Sequence, residues 1–209
     1  MSNQNSLDKW DWRFIDMAKM IAQWSKDPSS KIGAIAVDDN HRILGTGYNG
    51  FNRFDKDNIS DYYIRETKYS KIIHAEKNLI LNCLNNGVDL KGATMYVFGL
   101  PVCKICANEI AQVSLKRIVA IWDKDSNTYA KWAEEWEKFS KPAFEAAGVS
   151  VESVSVKIEK PKGVVAVEFN VSNIRIVFGD GSVIIEPPFP SDLQSDRDVY
   201  IRSLVEHHG

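Results

Sequence analysis

Four side chains in two short stretches of this 209-residue sequence could do chemistry together. "IIHAEKNLI" (72–80) reads as the start of an apolar helix, yet it carries His74 and Glu76 in its first turn. Ionisable groups at the mouth of a buried segment are costly unless something pairs with them. "GLPVCKICANEI" (99–110) supplies Cys103 and Cys106. At a helix start, cysteines spaced i, i+3 share one face about a turn apart, and the positive helix end favours their thiolates. Two sulfurs and one imidazole nitrogen leave a tetrahedral Zn²⁺ with one open position, as in catalytic zinc sites. A closed structural site needs a fourth ligand. Cys83 is about 13 Å along a helix from His74, His41 lies in a turn, and His207 and His208 are at the chain end. Glu76 gives an open position a purpose, because zinc acidifies bound water and a nearby carboxylate can carry its protons.

The length suits one domain of ordinary size with a well-buried core, plus an extension. The apolar share is 44% and the charged share 26%, the balance of a soluble globular chain. A formal net charge of −2 argues against a nucleic-acid binder, which normally presents a basic face. No run of about eighteen apolar residues is present, and the polar start "MSNQNSLDKW" has no apolar signal core. The expectation is a cytoplasmic protein. Three cysteines with one Cys-x-x-Cys pair suggest a metal site rather than a disulfide framework.

These residues must be held by elements. Trp10, Phe14, Met17, Ile21 and Trp24 recur at steps of three and four, which predicts a first helix with one apolar face. "KIGAIAV" (31–37) and "RILGTGYNG" (42–50) read as strands about a "DDNH" turn. Residues 51–73 form a long polar connection, more consistent with a functional loop than a spacer. Then come the His74 helix, strand "ATMYVFG", a helix from about Cys103, strand "KRIVAIW", a helix across 127–147 and strand "VSVESVSV". Strands alternating with helices predict a largely parallel sheet covered on both faces. After "EKPKG" the pattern changes to short strands with tight turns. The expected division is a zinc-dependent deaminase domain over residues 1–157 and a β-rich C-terminal extension over 158–209 of undetermined role.

His-x-Glu followed by Pro, Cys-x-x-Cys is the signature of zinc nucleobase deaminases, in which the Glu is not a ligand. Over about residues 10–157 the chain resembles the deoxycytidylate (dCMP) deaminases of the zinc-dependent cytidine deaminase superfamily. The resemblance rests on "SKDPSSKIGAIAV", "GTGYNGF", "HAEKNLI" and "TMYVFGLPVCKICANEI". It implies an α/β fold, cytidine-deaminase-like three-layer α/β/α with a mixed five-stranded sheet, and one Zn²⁺ per chain held by His74, Cys103 and Cys106. It also implies hydrolytic attack at C4 of cytosine, with Glu76 moving the protons. Ala75 would hold the base edge through its backbone, and Asn49 would bind the sugar or base. In regulated members Gly47, Tyr48, Asn49 and Gly50 would help bind an allosteric deoxynucleoside triphosphate. A homo-oligomer is expected, with a free nucleotide, dCMP, as substrate.

The chain departs from the family pattern in places. Val102 separates Pro101 from Cys103, Phe51-Asn52 stands where the family has an early Pro, and "WDKDSNTY" has no Tyr at the usual place after the fourth strand. These departures leave open whether the base is 5-substituted or the sugar a ribose. Residues 51–73 contain no His or Cys, so no second zinc is expected there. Two other functions compete: tRNA adenosine deamination, which needs a basic surface, and a non-catalytic nucleotide-sensing zinc protein, against which Glu76 argues. Cys83 reads as a small buried apolar side chain. Trp10, Trp12 and Trp24 read as helix core, and most Lys and Arg of 53–71 as a solvated face.

Overall fold

The computed structural model describes residues 7–55, 62, 64–123, 132–156, 164–169, 174–178 and 183–186. The chain divides into two compact units, residues 1–157 and 158–209.

The first unit opens with α1 (Lys9–Ala22), started by a capping box in which Asp8 and Asp11 bond each other's backbone N–H groups. Five strands follow: β1 (Gly33–Val37), β2 (Ile43–Tyr48), β3 (Thr94–Gly99), β4 (Arg117–Asp123) and β5 (Ser150–Val156). Their order is β2-β1-β3-β4-β5. β1 is antiparallel to both β2 and β3, whereas β3–β4 and β4–β5 are parallel, so the sheet is mixed rather than largely parallel. The tight β1–β2 connection enforces the antiparallel part, and the helical crossovers enforce the rest.

Strand periodicity sorts the core into two faces. Ala34, Ala36, Met95, Val97, Ile118 and Ala120 pack with Leu79, Cys83, Ile110 and Phe144. Residues of opposite parity, Ile35, Tyr96, Val119 and Ile121, are buried on the other face. α1 packs on β1 and β3, with Phe14 against Tyr96 at 5.3 Å between ring centroids. Gly33 permits its close approach: a Cβ there would overlap the Ala18 carbonyl and Ala22 backbone.

Two sequence expectations need correction. Within 51–73 a helix, α2 (Arg65–Lys71), interrupts the polar connection. Trp12 and Trp24 are not helix core; they are 43% and 56% exposed, because α1 ends at Ala22 and its buried face runs through Phe14, Ile15, Ala18 and Ile21. The helix expected across 127–147 is present where it can be described: residues 127–131 lie outside the described ones, and residues 132–146 are helical, with a π-helical turn (Trp136–Ser140) leading into α5 (Lys141–Ala146).

Two helices carry the chemistry-bearing residues, α3 (Ala75–Asn85) and α4 (Lys104–Gln112). α3 guards the edge strand β2. Asn78 and Asn82 donate to the carbonyls of Tyr48 and Thr46 at 2.8 and 3.0 Å. One helical turn and two strand residues have nearly equal reach, about 6 and 6.7 Å, so the spacing matches. These bonds occupy acceptors that an exposed edge would offer to another chain.

The second unit contains β6 (Val164–Phe169), β7 (Ile174–Phe178) and β8 (Val183–Glu186), an antiparallel sheet in that order. Among the described residues no helix is long and apolar enough to cross a membrane.

Candidate active site and metal centre

The N-termini of α3 and α4 converge on one point. His74 is the N-cap residue of α3 and Cys103 that of α4, where it accepts a bond from the Cys106 backbone N–H at 3.5 Å. His74 Nδ1 lies 3.4 Å from Cys103 Sγ and 3.4 Å from Cys106 Sγ. All three candidate ligand atoms fall within 4.8 Å of one another. With metal–ligand bonds typical of zinc, the nitrogen–sulfur edge of a tetrahedron is roughly 3.5 Å. The three atoms therefore fit a single zinc ion.

Proton sharing in the cluster points the same way. The hydrogen bond from Cys106 holds the Cys103 thiol down to about 4, despite burial, with His74 assisting. Cys106 is raised in turn by that bond and by burial, so the sulfur pair keeps one proton. His74 is raised to about 9, first by its bond to Cys103 and against burial, then by Glu76. Protons concentrated on soft donors are what a cation displaces on binding.

Glu76 follows two residues after His74 and is buried, with 4% exposure. Burial is the chief cause that lifts its carboxyl to about 7, with the His74 charge opposing. A divalent cation beside it would pull the value down. A carboxyl poised near neutrality is suited to taking and returning a proton.

A cavity of about 400 Å³ opens onto this cluster, within the range that holds a small-molecule ligand. His74, Ala75, Glu76 and Cys103 lie at its metal end, Leu100, Pro101 and Trp132 supply an apolar lining, and Asp27, Ser29, Asn49 and Lys68 a polar one. Asn49 is 5% exposed. Its Oδ1 accepts from the Ile32 N–H at 2.8 Å, and its Nδ2 donates to the Ser30 carbonyl at 2.8 Å and to Asp27 at 3.3 Å. Lys68, expected on a solvated face, is instead 13% exposed and paired with Asp27 at 2.7 Å. Burial would raise Asp27, but the bonds from Lys68 and Ser29 overcome it and keep the carboxyl low.

The structure thus brings Asn49, His74, Ala75, Glu76 and Cys103 to one cavity, with Cys106 behind them at 3.4 Å from His74 Nδ1. The GYNG residues diverge. Gly47 faces α3, where a Cβ would overlap the Ala75 carbonyl and the Leu79 N. Gly50 bridges to Ile73, and Tyr48 meets Trp24 edge-on at 6.1 Å between centroids. Tyr48 and Gly50 line a second cavity of about 290 Å³. Asp27, Ser29 and Trp132 were not foreseen as lining residues; the "SKDPSS" stretch offered a signal for the first two, and nothing local marks Trp132.

Helix-borne His and Cys-x-x-Cys ligands with a buried Glu, on a mixed five-stranded sheet, define the zinc-dependent hydrolytic deaminases. The chain belongs to the cytidine and deoxycytidylate deaminase family, whose zinc-binding region matches residues 8–122. It is accordingly a hydrolytic deaminase whose His74/Cys103/Cys106 cluster suits one zinc ion. It is 34% identical over 154 residues to the "Uncharacterized deaminase in luxG 3'region" of Aliivibrio fischeri, covering 74% of this chain and 99% of that protein. It is 33% identical over 172 residues to the deoxycytidylate deaminase of Mus musculus, covering 80% and 89%. The dCMP deaminase of cyanophage S-TIM5, solved in complex with dCMP and dUMP, has the same fold, with TM-score 0.55 at 21% identity over 68% of this chain and 95% of that one.

Proposed function

We propose that the protein hydrolyses dCMP to dUMP and ammonia. The observation that carries the reading is the buried Glu76 beside the His74/Cys103/Cys106 cluster, at the end of a cavity of about 400 Å³. The mouse relative's name, deoxycytidylate deaminase, supports the substrate class.

His74, Cys103 and Cys106 would hold the ion, which when bound supplies Lewis acidity and acidified water at neutral pH. Glu76 takes one proton from the attacking water and delivers it to N3 of the base, then takes the second from the hydroxyl now on C4 and gives it to the amine, as the C4–N bond breaks and the C4 carbonyl forms. Water enters and ammonia leaves, so the carboxyl ends as it began. The Ala75 backbone would hold the base edge, a role that its place in the cavity lining supports. Both Asn49 Nδ2 donors and one Oδ1 lone pair are engaged within the protein. The remaining lone pair can accept from a sugar hydroxyl. Ser29, Ser30 and Lys68 form the polar end at which a phosphate would sit.

The domain assignment belongs to this reading: residues 1–157 carry the deaminase, and 158–209 are an appended β-rich element. So does regulation. The second cavity combines Trp24, Tyr48 and Phe51, rings that suit a base, with Lys26 and Arg53 and with the carboxylates Asp27 and Asp55, so a deoxynucleoside triphosphate effector would rely on the two cations against two acidic groups. Self-association completes it, with mass in solution as its test.

Ammonia release should be compared over dCMP, CMP, deoxycytidine, 5-substituted dCMP and a tRNA stem-loop, with zinc content measured alongside. The reading expects dCMP to give the highest kcat/KM. Equal rates with deoxycytidine would mean that no phosphate site exists, and preference for the stem-loop would reassign the enzyme to RNA.

A further inference from the structure

The helices that carry the candidate ligands are also joined one turn further along. Lys77 is three residues after His74 on α3, and Glu109 is three residues after Cys106 on α4. On a helix, residues three apart are neighbours on one face. Each therefore stands one turn further along its helix from a ligand, on the side turned toward the other helix, with Lys77 47% and Glu109 31% exposed. His74 meets Cys106 at 3.4 Å, and Lys77 Nζ meets Glu109 Oε1 at 2.6 Å. Among the described residues no other ion pair joins α3 to α4.

Glu109 is only partly exposed. Its side chain is 31% exposed, but Oε2 is fully buried and has no hydrogen-bond partner. A carboxylate one turn from Cys106 is unfavourable by itself once the sulfurs are ionised to hold a metal. The Lys77 ammonium offsets that charge, and the bond to Glu109 in turn raises Lys77 above the usual lysine range.

We propose that Lys77 and Glu109 are positioning residues of the metal centre: their ion pair clamps α3 to α4 and sets the distance between His74 and the Cys103/Cys106 pair. The proposal rests on the reading of those three residues as zinc ligands. A small change in the approach of the helices alters the nitrogen–sulfur edge directly, because the ligands sit at the helix starts and no loop intervenes to absorb it. Outer groups that orient ligands are worth about 10–100-fold in metal affinity when hydrogen-bonded to them. A partly exposed clamp one turn away is worth less, roughly 5–10-fold.

The test uses full-length Lys77→Met, Glu109→Met and the reversed pair K77E/E109K, each loaded with Co²⁺ for its ligand-field spectrum and with Zn²⁺ for release to a chelator. The clamp predicts an altered cobalt spectrum and roughly 5–10-fold faster zinc release in both single variants, with the reversed pair returning toward wild type. Opposite effects on release in the two singles would show a simple charge effect and overturn the clamp. So would a lowered Tm with an unaltered cobalt spectrum, or no change at all. A wild-type protein that binds neither metal would overturn the ligand assignment, and the clamp with it.

Discussion

Glu76 shows how much one position can ask of a fold. It sits in the first turn of α3, where the helix dipole favours its charge, yet burial lifts its carboxyl to about 7. Such a group costs stability and is retained where proton transfer needs it. Glu76→Gln should fold, keep its zinc and lose turnover by about 10²–10⁴-fold, the usual worth of general acid–base help. Metal analysis beside single-turnover deamination checks this, and turnover equal to wild type would remove Glu76 from the chemistry. The His74, Cys103 and Cys106 cluster was legible in the sequence because the requirements of zinc restrict residue type and spacing at each helix start, whereas Glu76 was marked by the His-x-Glu pattern of the family. Trp132 and the Asp27–Lys68 pair were not. Lys68 and Asp27 are 41 residues apart, and local periodicity carries no information on contacts at that separation.

At the scale of elements, packing competes with ligand binding as the reason for a motif. The glycines of "GTGYNG" resemble a nucleotide-binding loop, but Gly47 lies beneath the start of α3 with backbone against backbone. Gly47→Ala must push α3 away from β2. It should cost about 1–3 kcal/mol, as overpacking commonly does, and reduce deamination with no effector present. Denaturant unfolding and effector-free kinetics check both halves; an effect confined to effector response would assign Gly47 to regulation. A second tie fixes α1 to the sheet. Asp11 is paired with Arg117 at 2.6 and 2.9 Å and accepts from the Tyr96 hydroxyl at 2.6 Å. Burial would raise Asp11, but these bonds overcome it and hold the folded value below the ordinary 3.8. The stabilisation is therefore complete above about pH 3.8 and fades as pH falls from there through the lowered value. Arg117→Met, which strands the Asp11 carboxylate, should cost about 2–3 kcal/mol at neutral pH, less than a fully buried pair because Arg117 is 21% exposed. Its deficit should shrink in acid, as thermal melts across pH would record. Element types followed from periodicity along most of residues 9–156, but α1 was read too far. Trp24 continues the three-and-four spacing after the helix has ended, and a repeat of side chains cannot show where the backbone stops following it.

The whole molecule joins a unit that accounts for the proposed chemistry to one that does not. Cavity, candidate ligands and Glu76 all lie within residues 1–157. The Aliivibrio fischeri relative is matched over 99% of its length by 74% of this chain, so a deaminase-family protein can do without a segment as long as the extension. The change from alternating helices and strands to short strands near residue 158 made the extension visible in the sequence, while its role depends on surfaces that periodicity does not describe. The physical expectation is that the first unit has its own core, built from both faces of a five-stranded sheet, and folds without the second. A protein ending at Lys157 should therefore unfold cooperatively, bind one zinc and retain dCMP deamination to within about tenfold, a difference of 1.4 kcal/mol in the barrier. Loss of self-association in that protein, with kcat/KM kept, would assign residues 158–209 to a subunit contact. Loss of an effector response with mass unchanged would assign them to regulation. An insoluble or zinc-free product would show instead that the deaminase unit needs the extension to fold, and would overturn the division of labour between the two.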